Sequence, residues 1–166
     1  MDLKKLSNSN KSVKIADSTQ VISQLNSLLA EEFQAWYQYY IVTPFLFGNE
    51  RSAVQEEFMK LADDELNDHA TQLIDRINEL GGECILTTPE TWRSVATLPF
   101  ETAPLDIKSQ LDLNIRAEQG AIDHYKSAIE LVGSLNDITT QDILKKILAD
   151  EEEHLSELND FIKDLS

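Results

Sequence analysis

Near its carboxyl end, at residues 147–154, the chain reads Ile-Leu-Ala-Asp-Glu-Glu-Glu-His. Glu151 and His154 are three residues apart, so on an α-helix they lie on one face, about one turn from each other. A carboxylate oxygen and an imidazole nitrogen at this spacing can converge on one metal ion. The same residues also fit a solvated acidic helix face, so this stretch alone does not establish a metal site.

The chain repeats this pattern at an offset of 86 residues. Glu32 corresponds to Glu118, and Glu65 corresponds to Glu151. Aspartate, apolar and aromatic positions also correspond: Asp64 and Asp150, Val21 and Ile107, Leu25 and Leu111, Tyr39 and Tyr125, Leu61 and Ile147. Each half of the chain therefore offers one glutamate on its first helix and one glutamate near a histidine on its second.

The first of these glutamates, Glu32, stands among Leu28, Leu29, Trp36 and Tyr39, on the helix side that we expect to be buried. A buried carboxylate without a partner is costly, so it needs a cation or a proton. Four carboxylates and two neutral histidines balance the charge of two divalent ions. Charge balance therefore favours a core that holds four glutamates around a pair of metal ions.

Apolar residues at helical spacing predict four long helices, A to D, over about 18–46, 50–80, 105–133 and 138–164. Pro44 and the pair Gly81-Gly82 mark the ends of helices A and B. The long link between helices B and C contains three prolines, and we expect one short helix at Pro89–Val95. Two short connections and one long crossover predict an all-α four-helix bundle.

Composition narrows the class of protein further. A length of 166 residues fits one domain. A net charge of −16 disfavours nucleic-acid binding by the folded body. The same charge suits a protein that handles cations. No apolar run could span a membrane and no signal peptide is evident, so we expect a cytoplasmic protein without membrane contact. The single cysteine, Cys84, cannot form an intrachain disulfide, and we expect it to be a small buried hydrophobe.

Residues 1–17 differ from the rest and predict a flexible basic tail before a bundle domain of residues 18–166. Four lysines against one aspartate give the first 16 residues a charge of +3 and leave −19 on the remainder. DNA binding through this tail is an open alternative. A solvated tail is the favoured interpretation, because the remaining negative charge opposes approach to phosphates.

Taken together, these residues resemble the ferritin-like di-iron carboxylate superfamily over nearly the whole chain after residue 17. Residues 25–39, 117–125 and 147–154 are similar to the first, third and fourth helices of a bacterioferritin. The resemblance implies a di-iron centre of the kind that this superfamily holds between four helices. It implies these ligands: Glu32, Glu65, Glu118 and Glu151 as carboxylates, Glu65 and Glu151 as bridges, and His69 and His154 as terminal ligands.

Helix B departs from the family pattern, since the family has Glu-x-x-His where this chain has Glu65-x-x-x-His69. A single-residue π-bulge could restore the convergence of the two side chains. Alternatively, a spacing of four already places both on one face, and a small helix rotation suffices. Asp68 could instead be the ligand, or His69 could be a surface histidine beside Asp68, and the sequence leaves both possibilities open.

Three features relate the chain to one branch of the superfamily. The sequence ends 12 residues after His154, which leaves no room for the fifth helix of the 24-subunit ferritins and bacterioferritins. The long crossover with a short helix resembles the Dps branch of dodecameric cages. Asn67 stands where bacterioferritins have the methionine that binds haem, so we predict no haem. The combination resembles Dps-like proteins with a bacterioferritin-type site inside each subunit.

This resemblance implies a ferroxidase that oxidises Fe(II) with hydrogen peroxide or dioxygen and stores ferric mineral in a homo-oligomer, a dodecamer. The alternative is an oxidoreductase without a cage, of the rubrerythrin or manganese-catalase type. Tyr39 and Tyr125 each lie seven residues after a ligand glutamate. They are expected to hydrogen-bond ligands or donate electrons, or else to be core aromatics. His124 is expected on the surface and is not counted as a ligand.

Overall fold

A computed structural model of the chain describes residues 3–84 and 89–165, with side chains described within residues 18–84 and 90–165. Its segments, in chain order, are α1 (Leu3–Val42), a 3-10 turn (Thr43–Phe45), α2 (Arg51–Asp63), a π-helical segment (Asp64–His69), α3 (Ala70–Glu79), α4 (Pro89–Val95), α5 (Ile107–Ser134) and α6 (Ile138–Asp164). The segments α2, π and α3 follow one another directly and form predicted helix B. The all-α four-helix bundle with a long crossover and a short helix in it is confirmed.

The first helix differs most from its predicted bounds. It begins at Leu3 rather than near residue 18, because a formed helix extends at little cost into residues that do not oppose it. It ends at Val42, and a 3-10 turn containing Pro44 takes up the residues that the prediction gave to the helix. The side chains of residues 1–17 lie outside the described part, so the basic tail and its DNA contacts stay predictions.

Two aspartates begin the second helical pair. The Asp106 carboxylate accepts a hydrogen bond from the Ser109 amide at 2.9 Å and caps α5. The Asp137 carboxylate accepts from the Thr140 amide at 3.1 Å and caps α6. At the end of α3, Gly81 takes a φ of 75°, which is the left-handed conformation that ends many helices. These signals explain why three of the four predicted helices begin and end within two residues of the observed bounds.

The apolar core consists of two clusters, one toward each end of the bundle. Leu25, Leu73 and Leu144 belong to the first cluster. Phe58 and Leu158 belong to the second cluster. Between the two clusters, most of the buried residues of α1 and α6 are polar: Glu31, Glu32, Gln34, Gln38, Glu151 and His154. The fold therefore leaves a buried polar layer at mid-bundle, sealed by hydrocarbon on both sides.

The crossover is fixed against α1. The Trp92 ring stacks on Phe33 with centroids 5.1 Å apart. The Ser27 hydroxyl donates to the Val95 carbonyl at 3.1 Å. These contacts hold the crossover over the groove between α1 and α5, beside the polar layer. Among the described helices, none combines the length and apolar character needed to cross a membrane.

Candidate metal centre

Six acidic and histidine side chains from four helical elements meet in the polar layer. They are Glu32 from α1, Glu65 and His69 from the π segment, Glu118 from α5, and Glu151 and His154 from α6. Each is exposed by 3% or less, although all are titratable. These are the six residues that the sequence singled out, and the structure brings all of them together.

The six side chains form two overlapping groups that share Glu65 and Glu151. The remaining members divide evenly: Glu32 and His69 complete the first group, and Glu118 and His154 complete the second. Within each group, one ligand atom from every residue lies within 4.8 Å of the others. The arrangement offers two adjacent cation positions with two carboxylates placed between them.

The π segment turns His69 toward the glutamates. Its i→i+5 hydrogen bonding widens the helical turn, so residues four apart lie more nearly above each other than in an α-helix. His69 Nδ1 lies 3.2 Å from Glu65 Oε2 and 3.3 Å from Glu151 Oε1. The π-bulge interpretation is therefore confirmed, and the alternative of an undistorted, slightly rotated helix is wrong.

Asp68 does not join the glutamates. Its Oδ2 lies 3.1 Å from Lys146 Nζ, and its Oδ1 accepts a hydrogen bond from Gln72 at 3.0 Å. The side chain is 48% exposed, whereas His69 is fully buried. The interpretation of His69 as a surface residue is therefore wrong, because the wider π turn carries it inward and leaves Asp68 outside.

Both histidines are held protonated in the metal-free centre. Burial alone lowers the pKa of His154, but the carboxylates of Glu151 and Glu65, each 3.5 Å from its Nδ1, outweigh burial and raise that pKa to about 11. Burial likewise opposes the charged form of His69, and the carboxylates of Glu151 and Glu32, each 3.3 Å from its Nδ1, raise its pKa far above the ordinary value. Without metal, each imidazole therefore acts as a cation among carboxylates.

The four glutamates divide into two classes. Burial, and then the charge of Glu65, raises the pKa of Glu32 well above its usual range. Burial, and then the charge of Glu151, does the same for Glu118. Burial also opposes ionisation of the two shared glutamates, but hydrogen bonds outweigh it and lower the pKa of Glu65 and of Glu151. Two protonated carboxyls, two carboxylates and two imidazolium groups together carry no net charge.

The donor set fits a pair of divalent ions. Five buried atoms of the cluster have no hydrogen-bond partner within the described part of the chain: Glu32 Oε2, Glu65 Oε1, His69 Nε2, Glu151 Oε2 and His154 Nδ1. Buried polar atoms without partners are costly and rare in proteins. Carboxylate and imidazole donors suit iron, manganese and zinc, so metal binding would satisfy these atoms.

Two buried tyrosines bond across the centre. The Tyr39 hydroxyl donates to Glu118 Oε1, and the Tyr125 hydroxyl donates to Glu32 Oε1. The two glutamates that are not shared, Glu32 and Glu118, are called the outer glutamates. Each tyrosine bonds to the outer glutamate of the opposite helix: Tyr39 of α1 to Glu118 of α5, and Tyr125 of α5 to Glu32 of α1. Of the roles expected from the sequence, the structure shows two: each hydroxyl bonds to a ligand glutamate, and each ring is buried in one of the apolar clusters.

His124 is not the surface residue expected from the sequence. Its side chain is only 11% exposed, and its Nδ1 lies 2.7 Å from Glu31 Oε2. Glu31 Oε1 also accepts the backbone amides of Thr97 and Leu98. The crossover thus covers this side of α1 and α5. The sequence did not reveal Glu31, because two of its partners are backbone groups that have no sequence signal.

Cys84 also differs from its prediction. The residue is exposed near the start of the crossover rather than buried as a small hydrophobe. Burial of the sulfur is only partial, and it raises the pKa of the thiol. The prediction was wrong because helix B ends at Gly81-Gly82 and the chain leaves the core before it reaches this residue.

Comparison with known proteins agrees with this geometry. The family model "Ferritin-like domain" matches residues 22–166. A bacterioferritin from Desulfovibrio desulfuricans is 27% identical over 136 residues, which cover 82% of this chain and 70% of that protein.

Solved structures are similar as well. A dodecameric thioferritin from Bacteroides fragilis, described as a bacterioferritin-related protein, is 37% identical. The match covers 94% of each chain with a TM-score of 0.85. Dps from Thermosynechococcus elongatus has a TM-score of 0.82 at 18% identity, covering 90% of this chain and 94% of the Dps chain, and supports the fold alone.

Proposed function

Because this chain belongs to the ferritin-like family, which handles and stores iron, we propose that it is a ferroxidase and iron-storage protein. It oxidises Fe(II) at the six-residue centre inside each subunit and stores the ferric product within a homo-oligomeric cage. The observation that carries this proposal is the pair of overlapping carboxylate and histidine groups that share Glu65 and Glu151 within one chain.

In this proposal the chain binds two Fe(II) ions as substrates and holds them side by side. Glu65 and Glu151 are shared, while Glu32 and Glu118 each serve one ion. With hydrogen peroxide, each Fe(II) gives one electron, the O–O bond breaks, and two protons complete two water molecules. With dioxygen, the same two electrons and two protons yield hydrogen peroxide. The side chains fix the separation of the ions and take up or release the protons.

The residues surrounding the centre favour this chemistry. Hydrocarbon at both ends of the bundle shields the centre from water along the bundle axis. Tyr39 and Tyr125 fix the orientation of the outer glutamates through their hydroxyls, as partners of metal ligands commonly do. Tyr125 thereby keeps Glu32 aimed at the centre in the absence of metal.

The test is anaerobic loading with Fe(II), followed by rapid mixing with hydrogen peroxide. We expect two Fe(II) per chain and fast oxidation in the native protein, and loss of both in Glu151→Ala. Glu152→Ala is the matched control, because Glu152 is exposed on the next position of α6 and pairs with Lys126 at the surface. Slow oxidation that is the same in all three proteins would contradict the proposal.

Particle mass on the same samples separates the cage from its alternative. We expect about twelve chains per particle, since the similar B. fragilis protein is dodecameric. A particle of two to four chains with active metal sites would instead favour an oxidoreductase of the rubrerythrin or manganese-catalase type.

The predictions about haem and DNA stay predictions. Asn67, at the position where bacterioferritins have the haem methionine, is exposed and donates to Asp63 Oδ1 at 2.5 Å. An absorption spectrum of protein purified from haem-replete cells tests the first prediction. A gel shift at low salt, with and without residues 1–16, tests the second.

A further inference from the structure

A cavity of about 170 Å³ opens between α1, α5 and the crossover and reaches the centre. All four glutamates of the centre line its inner end, and the crossover residues 98–101 line its outer end. His69 and His154 do not line it. They line a separate depression of about 220 Å³, together with four acidic residues and two lysines: Asp64, Asp68, Asp150, Glu153, Lys60 and Lys146. The centre thus separates two cavities of different chemistry.

The walls of the first cavity are unsuited to a hydrated cation. Between the glutamates and the surface they consist of small or apolar residues, such as Ala35, Leu113 and Ala121, and of amide side chains. Asn114 Oδ1 already accepts a hydrogen bond from the Gln38 amide at 2.9 Å. A cation that sheds its water needs charged or free oxygen ligands, and this passage offers few before the centre itself.

The outer end of the cavity also disfavours cations. The Arg116 guanidinium lies there and is 62% exposed, with its Nη2 3.4 Å from Glu101 Oε2. Glu31, the other acidic group on the wall, is occupied by His124 and by two amides of the crossover. The charges near the opening are therefore paired, and they give an approaching divalent cation no net attraction.

Outside the metal centre, one polar side chain of the cavity wall has an atom without a hydrogen-bond partner among the described residues. Gln34 is 8% exposed, and its Nε2 has no hydrogen-bond partner within the described residues. Gln34 lines the cavity. A buried amide donor left unbonded is costly, so a guest that accepts a hydrogen bond would be favoured there. A small uncharged molecule with an oxygen acceptor fits both this donor and the apolar walls.

From these observations we propose that the cavity between α1, α5 and the crossover is the route by which the small neutral oxidant reaches the centre. The inference rests on the proposed ferroxidase function and adds the side from which the oxidant enters the centre. The oxidant arrives on the glutamate side, and the depression on the other side of the centre, which is lined by four acidic residues, two lysines and both histidines, is a separate opening.

The test narrows the cavity without touching the centre. Ala121→Leu adds side-chain volume to its wall, and Ser127→Leu adds volume to an exposed position of the same helix as a control. Each protein is first loaded anaerobically with Fe(II), and the bound metal is counted. The loaded protein is then mixed with hydrogen peroxide or with the bulkier tert-butyl hydroperoxide.

We expect Ala121→Leu to bind the same amount of Fe(II) as the native protein and Ser127→Leu. Its oxidation by hydrogen peroxide should slow about tenfold, the factor that about 1.4 kcal/mol of added barrier gives. The slowing should be larger for the bulkier hydroperoxide. A second variant, Gln34→Leu, keeps a similar volume and removes the amide, and it should slow hydrogen peroxide more than dioxygen.

Three results would overturn the inference. An unchanged oxidation rate in both cavity variants would show that the oxidant uses a different route. Slower Fe(II) loading with an unchanged rate in preloaded protein would make the cavity a cation route. Native protein that binds Fe(II) but does not oxidise it would overturn the proposed function, and the inference with it.

Discussion

In the metal-free centre, two histidines and two glutamates carry protons that a metal ion would have to displace. Glutamate oxygens lie 3.3 Å from His69 Nδ1 and 3.5 Å from His154 Nδ1, and these nearby carboxylates raise the pKa of both imidazoles. Burial raises the pKa of Glu32 and Glu118. Metal ligation requires neutral imidazole and ionised carboxylate, so binding must release these protons.

We therefore expect two divalent ions to release up to four protons per chain near neutral pH, two from imidazolium groups and two from carboxyl groups. Since the raised pKa values mean that protons compete with metal, affinity should fall as pH falls. Each released proton should weaken binding by about tenfold per pH unit. A pH-stat titration with Co(II) measures the number. Release of fewer than two protons would contradict the charged state of the histidines.

The tyrosine hydroxyls give a second prediction. Tyr125→Phe removes the donor to Glu32 Oε1 and leaves a second oxygen of that buried carboxyl without a partner. Leaving such an acceptor unsatisfied costs ~1–3 kcal/mol, so the Tm of the metal-free protein should fall. Tyr37→Phe is the control, since Tyr37 is 39% exposed, and should change stability by less than ~0.5 kcal/mol. Equal Tm values for the two variants would show that the bond contributes nothing.

Among the helical elements, the π segment shows what the sequence could predict and what it could not. The repeat at 86 residues identified Glu32, Glu65, Glu118 and Glu151, because carboxylates matched at core positions are too costly to bury without a cation or a proton. The extra residue before His69 signalled a local distortion but did not decide between a bulge and a rotation. That choice depends on how α3 packs against α1, which the periodicity of one helix does not contain.

A deletion tests this element. Removing Asn67 should convert the π segment into α-helix and restore a Glu-x-x-His spacing, while α2 and α3 keep their packing. The variant should fold and still bind two metal ions per chain.

Removing Glu56 from the regular helix α2 should instead rotate every later residue by about 100° and abolish folding. Circular dichroism and metal counting compare the two. Loss of metal binding with retained helix in the Asn67 deletion would mean that the bulge shapes the site in a way that a regular turn cannot.

For the molecule as a whole, the sequence predicted the four-helix plan because glycines, prolines and capping aspartates mark most helix ends. It did not predict which surface the crossover covers. His124 was therefore predicted to be exposed but lies beneath the crossover, and Cys84 was predicted to be buried but is exposed. The two cavities also escaped prediction, since their walls combine residues that are far apart in the chain.

The described surface carries an exposed apolar patch around the end of α1. Its members are Tyr37, Tyr40, Ile41, Phe45, Phe47 and Leu105. Patches of this kind commonly mark protein interfaces.

We expect the double variant Phe45→Glu, Phe47→Glu to give smaller particles that stay helical and still bind metal. Ile138→Glu, at an exposed position 60% accessible on α6, should leave assembly intact. Sedimentation measures particle mass. Native mass in the double variant would exclude the patch from the interface.

The central claim is that one chain alone holds a pair of metal ions among its own four glutamates and two histidines. Crystals grown with Fe(II) under anaerobic conditions test it directly, through anomalous diffraction at the iron absorption edge. We predict two anomalous peaks per chain at mid-bundle, both in contact with Glu65 and Glu151, with His69 near one and His154 near the other. A single peak, or peaks that lie between subunits with the six side chains still paired to each other, would contradict it.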